Sequence, residues 1–190
     1  MTKKDWFEKI NSEIRNCKKC KRLRKITPFS MSHICYNDLS KAKIFFLGRN
    51  PGIENDHSHI SPENFDKKYH ELWWNCNFGK YVRKYFGDTF IKEKMFFSNI
   101  CKCSSPENSQ LTVEEKQNCV SFLKEQLSII RPKAIVTFGN EPKETINNFE
   151  ILKNIDIINL VHPAYFNHNR DVKMIEGQIN KIKKVVEKYG

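Results

Sequence analysis

The sequence predicts an α/β fold, a three-layer α/β/α sandwich around a central, mostly parallel four-stranded sheet. Three observations predict it. Four short, largely apolar runs, 43–47, 95–100, 134–138 and 155–160, have strand length and read as strands buried on both faces. Amphipathic stretches of helical period lie between and around them. The two kinds alternate along the chain, as expected when crossover helices join parallel strands. At 190 residues, with 39% hydrophobic residues and 14 Phe, one domain over 1–190 can bury a sizeable core.

Asp5 to Arg15 puts Trp6 or Phe7, Ile10 and Ile14 on one helical face. Cys17-Lys18-Lys19-Cys20 and a basic cluster, Lys21 to Lys25, follow. Residues 26–40, with Pro28, several serines and Asn37, read as loop. The first strand runs into Gly48-Arg49-Asn50-Pro51-Gly52, a turn whose two glycines and proline fix the backbone and leave little bulk. A polar stretch, 53–62, precedes a helical one bearing Phe65, Tyr69, Leu72, Trp73 and Trp74. A second helix, Phe78 to Phe86, is expected to stop at Gly87.

The second strand leads into a loop rich in Ser, Pro and Asn. Thr112-Val113-Glu114-Glu115 is a capping box that should open a helix running to Ile130. Arg131-Pro132 ends that helix, and the third strand closes at Gly139. A short helix, Pro142 to Phe149, precedes the fourth strand, which His162-Pro163 terminates. Asp171 caps a last helix whose apolar positions are Val172, Ile175, Ile179, Ile182 and Val186.

A formal charge of +11 favours polyanionic partners, nucleic acid before an anionic membrane surface. No run approaches the ~18 apolar residues of a membrane span, and Met1 to Trp6 lacks the apolar core of a secretory signal. The expectation is a cytoplasmic monomer without a membrane partner, nucleoid-associated in a prokaryote. Thiols stay reduced there, so seven cysteines, an odd number, suggest metal more than disulfides. Cys17-x-x-Cys20 has the spacing at which two thiolates reach one metal centre, and Cys101, Cys103 and Cys119 are available to complete it. Structural zinc and an iron–sulfur cluster both suit such a set. Cys35 and Cys76 read as small core residues.

Asn50, Asn99 and His162 each follow or end a strand. In a parallel sheet those ends emerge on one edge and can line one pocket.

With Cys17-Lys-Lys-Cys20, Phe46-Leu-Gly-Arg-Asn-Pro-Gly52, Ser98-Asn99-Ile-Cys-Lys102-Cys103, Glu115-Lys-Gln-Asn-Cys119, Ile130-Arg131-Pro132 and His162-Pro163-Ala164 in this order, the chain resembles the iron–sulfur (family 4) uracil-DNA glycosylases. The resemblance implies a monofunctional glycosylase of base excision repair. Such an enzyme flips uracil, or a related deaminated base, out of DNA and hydrolyses its N-glycosidic bond. It also implies a [4Fe–4S] cluster, with zinc the alternative, on Cys17, Cys20, Cys103 and Cys119. Gly48, Arg49 and Gly52 would form the turn against the substrate, Asn99 would read uracil, and His162 would be catalytic. Tyr165, His168 and Arg170 would lie on the segment entering DNA.

The family turn is similar to Gly-Glu-Ala-Pro-Gly, whereas this chain has Arg49 and Asn50 in the middle. Gly-x-Asn-Pro-Gly instead resembles the mismatch-specific and single-strand-selective branches. By that likeness Asn50, or an acid at Asp56 or Glu54, would place the attacking water. Phe65, with Tyr69 behind it, would stand in for the stacking aromatic. The other reading is a non-catalytic nucleic-acid-binding module, stabilised by iron–sulfur or zinc, on the same fold.

These residue types suit the chemistry. A base inside a duplex must be extruded before it can be cut out. An Asn amide can accept from uracil N3–H and donate to O4, a pattern that cytosine reverses. A histidine donating to O2 would stabilise the anion that develops on the departing base.

Overall fold

A computed structural model describes residues 2–25, 41–52, 74–147, 149–169 and 171–190. Asp56, Phe65 and Arg170, together with Cys35, Glu54 and Tyr69, lie outside the described residues.

Four strands form the sheet: β1 (Ile44–Gly48), β2 (Met95–Asn99), β3 (Ala134–Phe138) and β4 (Asp156–Leu160). Their order is β2-β1-β3-β4 and every neighbouring pair is parallel. Alternate residues serve opposite faces, and in β1, β2 and β3 both faces are covered; β4, expected to be buried likewise, is exposed at Asp156 and only part-buried through Asn159. Phe46, Phe97, Val136 and Phe138 pack on one side against α3 (Asn77–Lys94) and α7 (Val172–Tyr189). Phe45, Leu47, Phe96 and Ile135 pack on the other, against α1 (Lys3–Asn16) and α4 (Val113–Ile130). The result is the expected three layers.

Local chemistry explains the helix ends. Thr2 and Asp5 form a capping box on α1, and Thr112 with Glu115 forms one on α4. Arg131 takes the left-handed conformation at φ 51° as α4 stops before Pro132. On α1 it is Phe7 that is buried, while Trp6 remains exposed. On α7 Asp171 accepts from the Met174 N–H, as expected, but Val172 is exposed and Val185 joins the core.

One expected boundary holds and one moves. The first helical segment of α3 does stop at Gly87, whose φ 72° and ψ 156° are not helical, and a second segment then runs on and buries Ile91 before Met95. The helix expected over Pro142 to Phe149 is α5 (Asn140–Ile146), followed by a 3-10 turn at Glu150–Leu152. It starts earlier because Gly139, at φ 88°, turns the chain directly out of β3. Pro142 then falls in the first turn, where no intrahelical N–H is needed.

β1 has β2 on one side and β3 on the other, so successive crossovers leave in opposite directions. That makes the carboxyl edge between β1 and β3 a topological switch point, where open α/β sheets hold ligands.

Candidate active site

Gly48 ends β1 opposite Asn99, the last residue of β2. Past them the two chains stay tied: the Ile100 N–H donates to the Gly48 carbonyl and the Cys101 N–H to the Arg49 carbonyl, both at 2.9 Å. Asn99 is 6% exposed, and its Nδ2 has no hydrogen-bond partner among the described residues. A buried amide N–H left unanswered is costly and uncommon in a folded protein. It is the sort of group a ligand satisfies.

Asn50 is held from both ends. Its Oδ1 accepts from Arg49 Nε at 2.8 Å, and its Nδ2 donates to Ser105 Oγ at 3.1 Å and to the Pro51 carbonyl at 3.3 Å. Across the switch point, Glu141 on α5 lies 4.0 Å from Arg49 Nε and 3.2 Å from Lys116 Nζ. A carboxylate thus stands beside Arg49 at this edge of the sheet.

His162 follows β4 beside Gly139, where an added Cβ would stand 4.0 Å from the His162 Cβ. The Ala164 N–H donates to its Nδ1 at 3.2 Å. That bond leaves the proton of a neutral ring on Nε2, available to donate. The residue is exposed by area, yet its ring stands against enough protein to lose water on one side. This desolvation, and then the charge of Arg49, hold its pKa below the usual 6.5.

The loop after His162 divides. α6 (Tyr165–His168) buries Phe166 completely, stacked on Phe78 at 5.9 Å, so this ring cannot enter DNA. Tyr165 (41% exposed) and His168 remain at the surface.

The thiols gather beneath the same edge. Cys17 caps the end of α1, Cys20 precedes α2 (Lys21–Arg24), Cys101 and Cys103 follow β2, and Cys119 lies on α4. Cys119 Sγ is 3.9 Å from Cys101 Sγ. The contact with Cys101 is the main cause that draws the Cys119 thiol down to about 6, helped by the Lys102 N–H and the charges of Lys102 and Lys19 against burial. Cys101 is pushed up, first by that same contact and then by burial. Cys20 is raised by burial and feels both Cys119 and Cys17. Among the described residues no three Cys, His, Asp or Glu side chains already converge on one metal position. The donor chemistry nevertheless fits a soft metal: buried thiols from three chain segments, with cationic side chains alongside.

The Uracil DNA glycosylase superfamily model matches residues 36–185. The chain belongs to that superfamily. Among its relatives is a type-4 uracil-DNA glycosylase of Sulfurisphaera tokodaii, 27% identical over 95% of this chain and 85% of its own length. Proteins of the same description from Saccharolobus solfataricus and Archaeoglobus fulgidus are 29% and 28% identical. Those matches take in 71% and 75% of this chain, and 56% and 64% of the relatives' own lengths.

For a member of the superfamily, the structure brings Gly48, Arg49, Asn50, Asn99 and His162 to the carboxyl edge of one sheet. Gly52 closes the turn after β1; of the thiols, Cys20, Cys101, Cys103 and Cys119 belong to one buried cluster, and Cys20 feels the charge of Cys17. Sequence reasoning missed Ser105 and Glu141, which stand beside Asn50 and Arg49, and also Gln126 and the interior position of Lys102. Lys102 had a signal in the run that carries the resemblance, and Ser105 in its place two residues past Cys103; Glu141 had none. Among the described residues no helix is long and apolar enough to cross a membrane.

Proposed function

We propose that the protein excises uracil from DNA by hydrolysing the N-glycosidic bond. The observation that carries this reading is the unanswered Nδ2 of Asn99, buried at the carboxyl edge of the sheet beside a glycine. Uracil offers O4 to that N–H and N3–H to the amide oxygen. His162, neutral and carrying its proton on Nε2, donates to O2 as negative charge develops there. Asn50 places the water. With its oxygen shared with Arg49 it orients rather than deprotonates, because an amide is a poor base.

The substrate is DNA carrying uracil or another deaminated base, gripped through phosphates by a protein of charge +11. Tyr165 and His168 face that DNA from the loop after His162. Cys17, Cys20, Cys103 and Cys119 would hold a [4Fe–4S] cluster. When bound, the cluster would tie the basic segment Lys18 to Lys25 to the loop after β2, a structural service rather than a chemical one.

The test is an oligonucleotide with a single deoxyuridine, incubated with protein and then treated with alkali. Wild type should give strand scission at that position. His162→Ala should lower the single-turnover rate by about 10²–10³-fold, as the loss of one anion-stabilising donor does elsewhere. DNA binding without scission on uracil, hypoxanthine, xanthine or hydroxymethyluracil would establish the non-catalytic module instead.

A further inference from the structure

Lys102 is 1% exposed, three residues past Asn99 on the bend that leaves β2. Its Nζ donates to Ser98 Oγ, to the Asn99 carbonyl and to Gln126 Oε1 on α4, each at 2.7 Å. Ser98 Oγ in turn donates to Gln126 Oε1 at 2.9 Å. All three ammonium hydrogens are therefore matched, and all three acceptors are neutral. An apolar side chain of the same volume would avoid the cost of burying a charge. What it would lose is the hold on the Asn99 peptide.

That hold has a specific place in the fold. Among the described residues β2 is an edge strand, paired on one side by β1. On the β1 side the chain is fixed by the bonds from Ile100 and Cys101. Lys102 reaches the Asn99 carbonyl independently of that pairing and ties it to a helix in another layer.

We propose that Lys102 is a positioning residue for base recognition: its ammonium locks the Asn99 peptide to Gln126, and so fixes where the Asn99 amide points. The inference rests on the glycosylase reading and deepens it. Lys102 touches no substrate atom. Its effect reaches the base only through Asn99, so it should act on base binding and spare the grip on sugar and phosphate.

Lys102→Met keeps an unbranched side chain one atom shorter and removes the three donors. Three quantities are measured beside wild type: single-turnover release of uracil, inhibition by free uracil, and affinity for DNA with an abasic site, which presents the backbone without a base. Uracil release and inhibition should each weaken by about 10- to 100-fold, the usual consequence of misplacing a recognition group by a fraction of an ångström or more. Affinity for abasic DNA should stay within about twofold of wild type. If Lys102→Met does not fold, Gln126→Leu decides the matter. It leaves the Asn99 carbonyl its donor but cuts the tie to α4, and the same pattern should appear at smaller size. A folded variant with wild-type inhibition by uracil overturns the inference, and so does a parallel fall in uracil and abasic-DNA binding. Failure of wild type to release any base would defeat the glycosylase reading and this inference with it, whereas an active wild type with an unchanged variant defeats this inference alone.

Discussion

Gly48 and Asn99 face each other across the β1–β2 pair, and a Cβ at the first would collide with the Oδ1 of the second. The glycine is required here for close approach, not for an unusual φ. Gly48→Ala should therefore turn the Asn99 amide out of line while the ladder persists. Uracil release should fall by about 10- to 100-fold, the loss expected for a recognition group moved off its partner. The melting temperature should drop by about 2–12 °C, since overpacking one methyl costs about 1–3 kcal/mol. Single-turnover assays and thermal unfolding on the same preparation check this, and full activity in the variant would remove the steric argument.

Arg49 stands where the family's acid does in the turn, and its charge acts on His162. Since desolvation and Arg49 hold the imidazole below its usual pKa, the folded protein binds that proton less readily than the unfolded chain. The cost is absent above about pH 6.5, the ordinary value for histidine. It grows as pH falls from there toward the folded-state pKa. Arg49→Met should raise the His162 midpoint toward 6.5 and relieve part of that acid penalty. The ring-proton shift of His162, followed by NMR from pH 4.5 to 8, reads this directly. A midpoint that stays put would show that desolvation alone sets it.

The sheet was legible because buried parallel strands leave a strong mark: Phe45-Phe46-Leu47 and Ile135-Val136 admit little else. Asn99 and His162 could be found because a parallel sheet sends strand ends to one edge. Gly87 marked the helix break that the structure shows; what it hid was the helical segment beyond the bend, where Ile91 finds a place in the core. Lys102 was invisible as a buried residue, because lysine reads as surface and its three acceptors come from two layers of the fold. Phe166 lies between Tyr165 and His168 on the segment expected to enter DNA, yet Phe78, 88 residues earlier, covers its face.

The thiol set makes a separable prediction. Cys17→Ser, Cys20→Ser and Cys119→Ser should each lose bound iron and visible absorbance, because a cluster of this kind needs its thiolates. Cys76→Ser should keep both. Its Sγ accepts from the Gly79 N–H at 3.3 Å as the cap of α3, a task serine performs well. Iron content and absorbance of anaerobically purified protein decide it. Stoichiometric zinc in colourless wild type would replace the cluster with the zinc alternative.

Arg22 carries the tie between the N-terminal arm and the body of the fold. Its guanidinium grips Glu115 in two bonds, Nε to Oε1 at 2.8 Å and Nη2 to Oε2 at 2.6 Å. It also donates to Ser109 Oγ and to the Gln110 carbonyl. Glu115 in turn accepts from the Thr112 N–H, so one carboxylate both caps α4 and anchors the segment beside Cys20. The bond to Arg22 is the largest cause holding Glu115 below the ordinary glutamate value. With the folded pKa depressed, its contribution is complete above the unfolded value near 4.5 and is lost as pH falls through the folded one. Arg22→Ala should cost about 1–2 kcal/mol at pH 7, at the low end for a charged hydrogen-bonded pair because Arg22 is open to solvent. Denaturant unfolding at pH 7 and again well below pH 4 checks this: the gap between variant and wild type should shrink on acidification, when a protonated Glu115 no longer distinguishes the two. A gap that is constant with pH would mean that Arg22 acts through Ser109 and Gln110 instead.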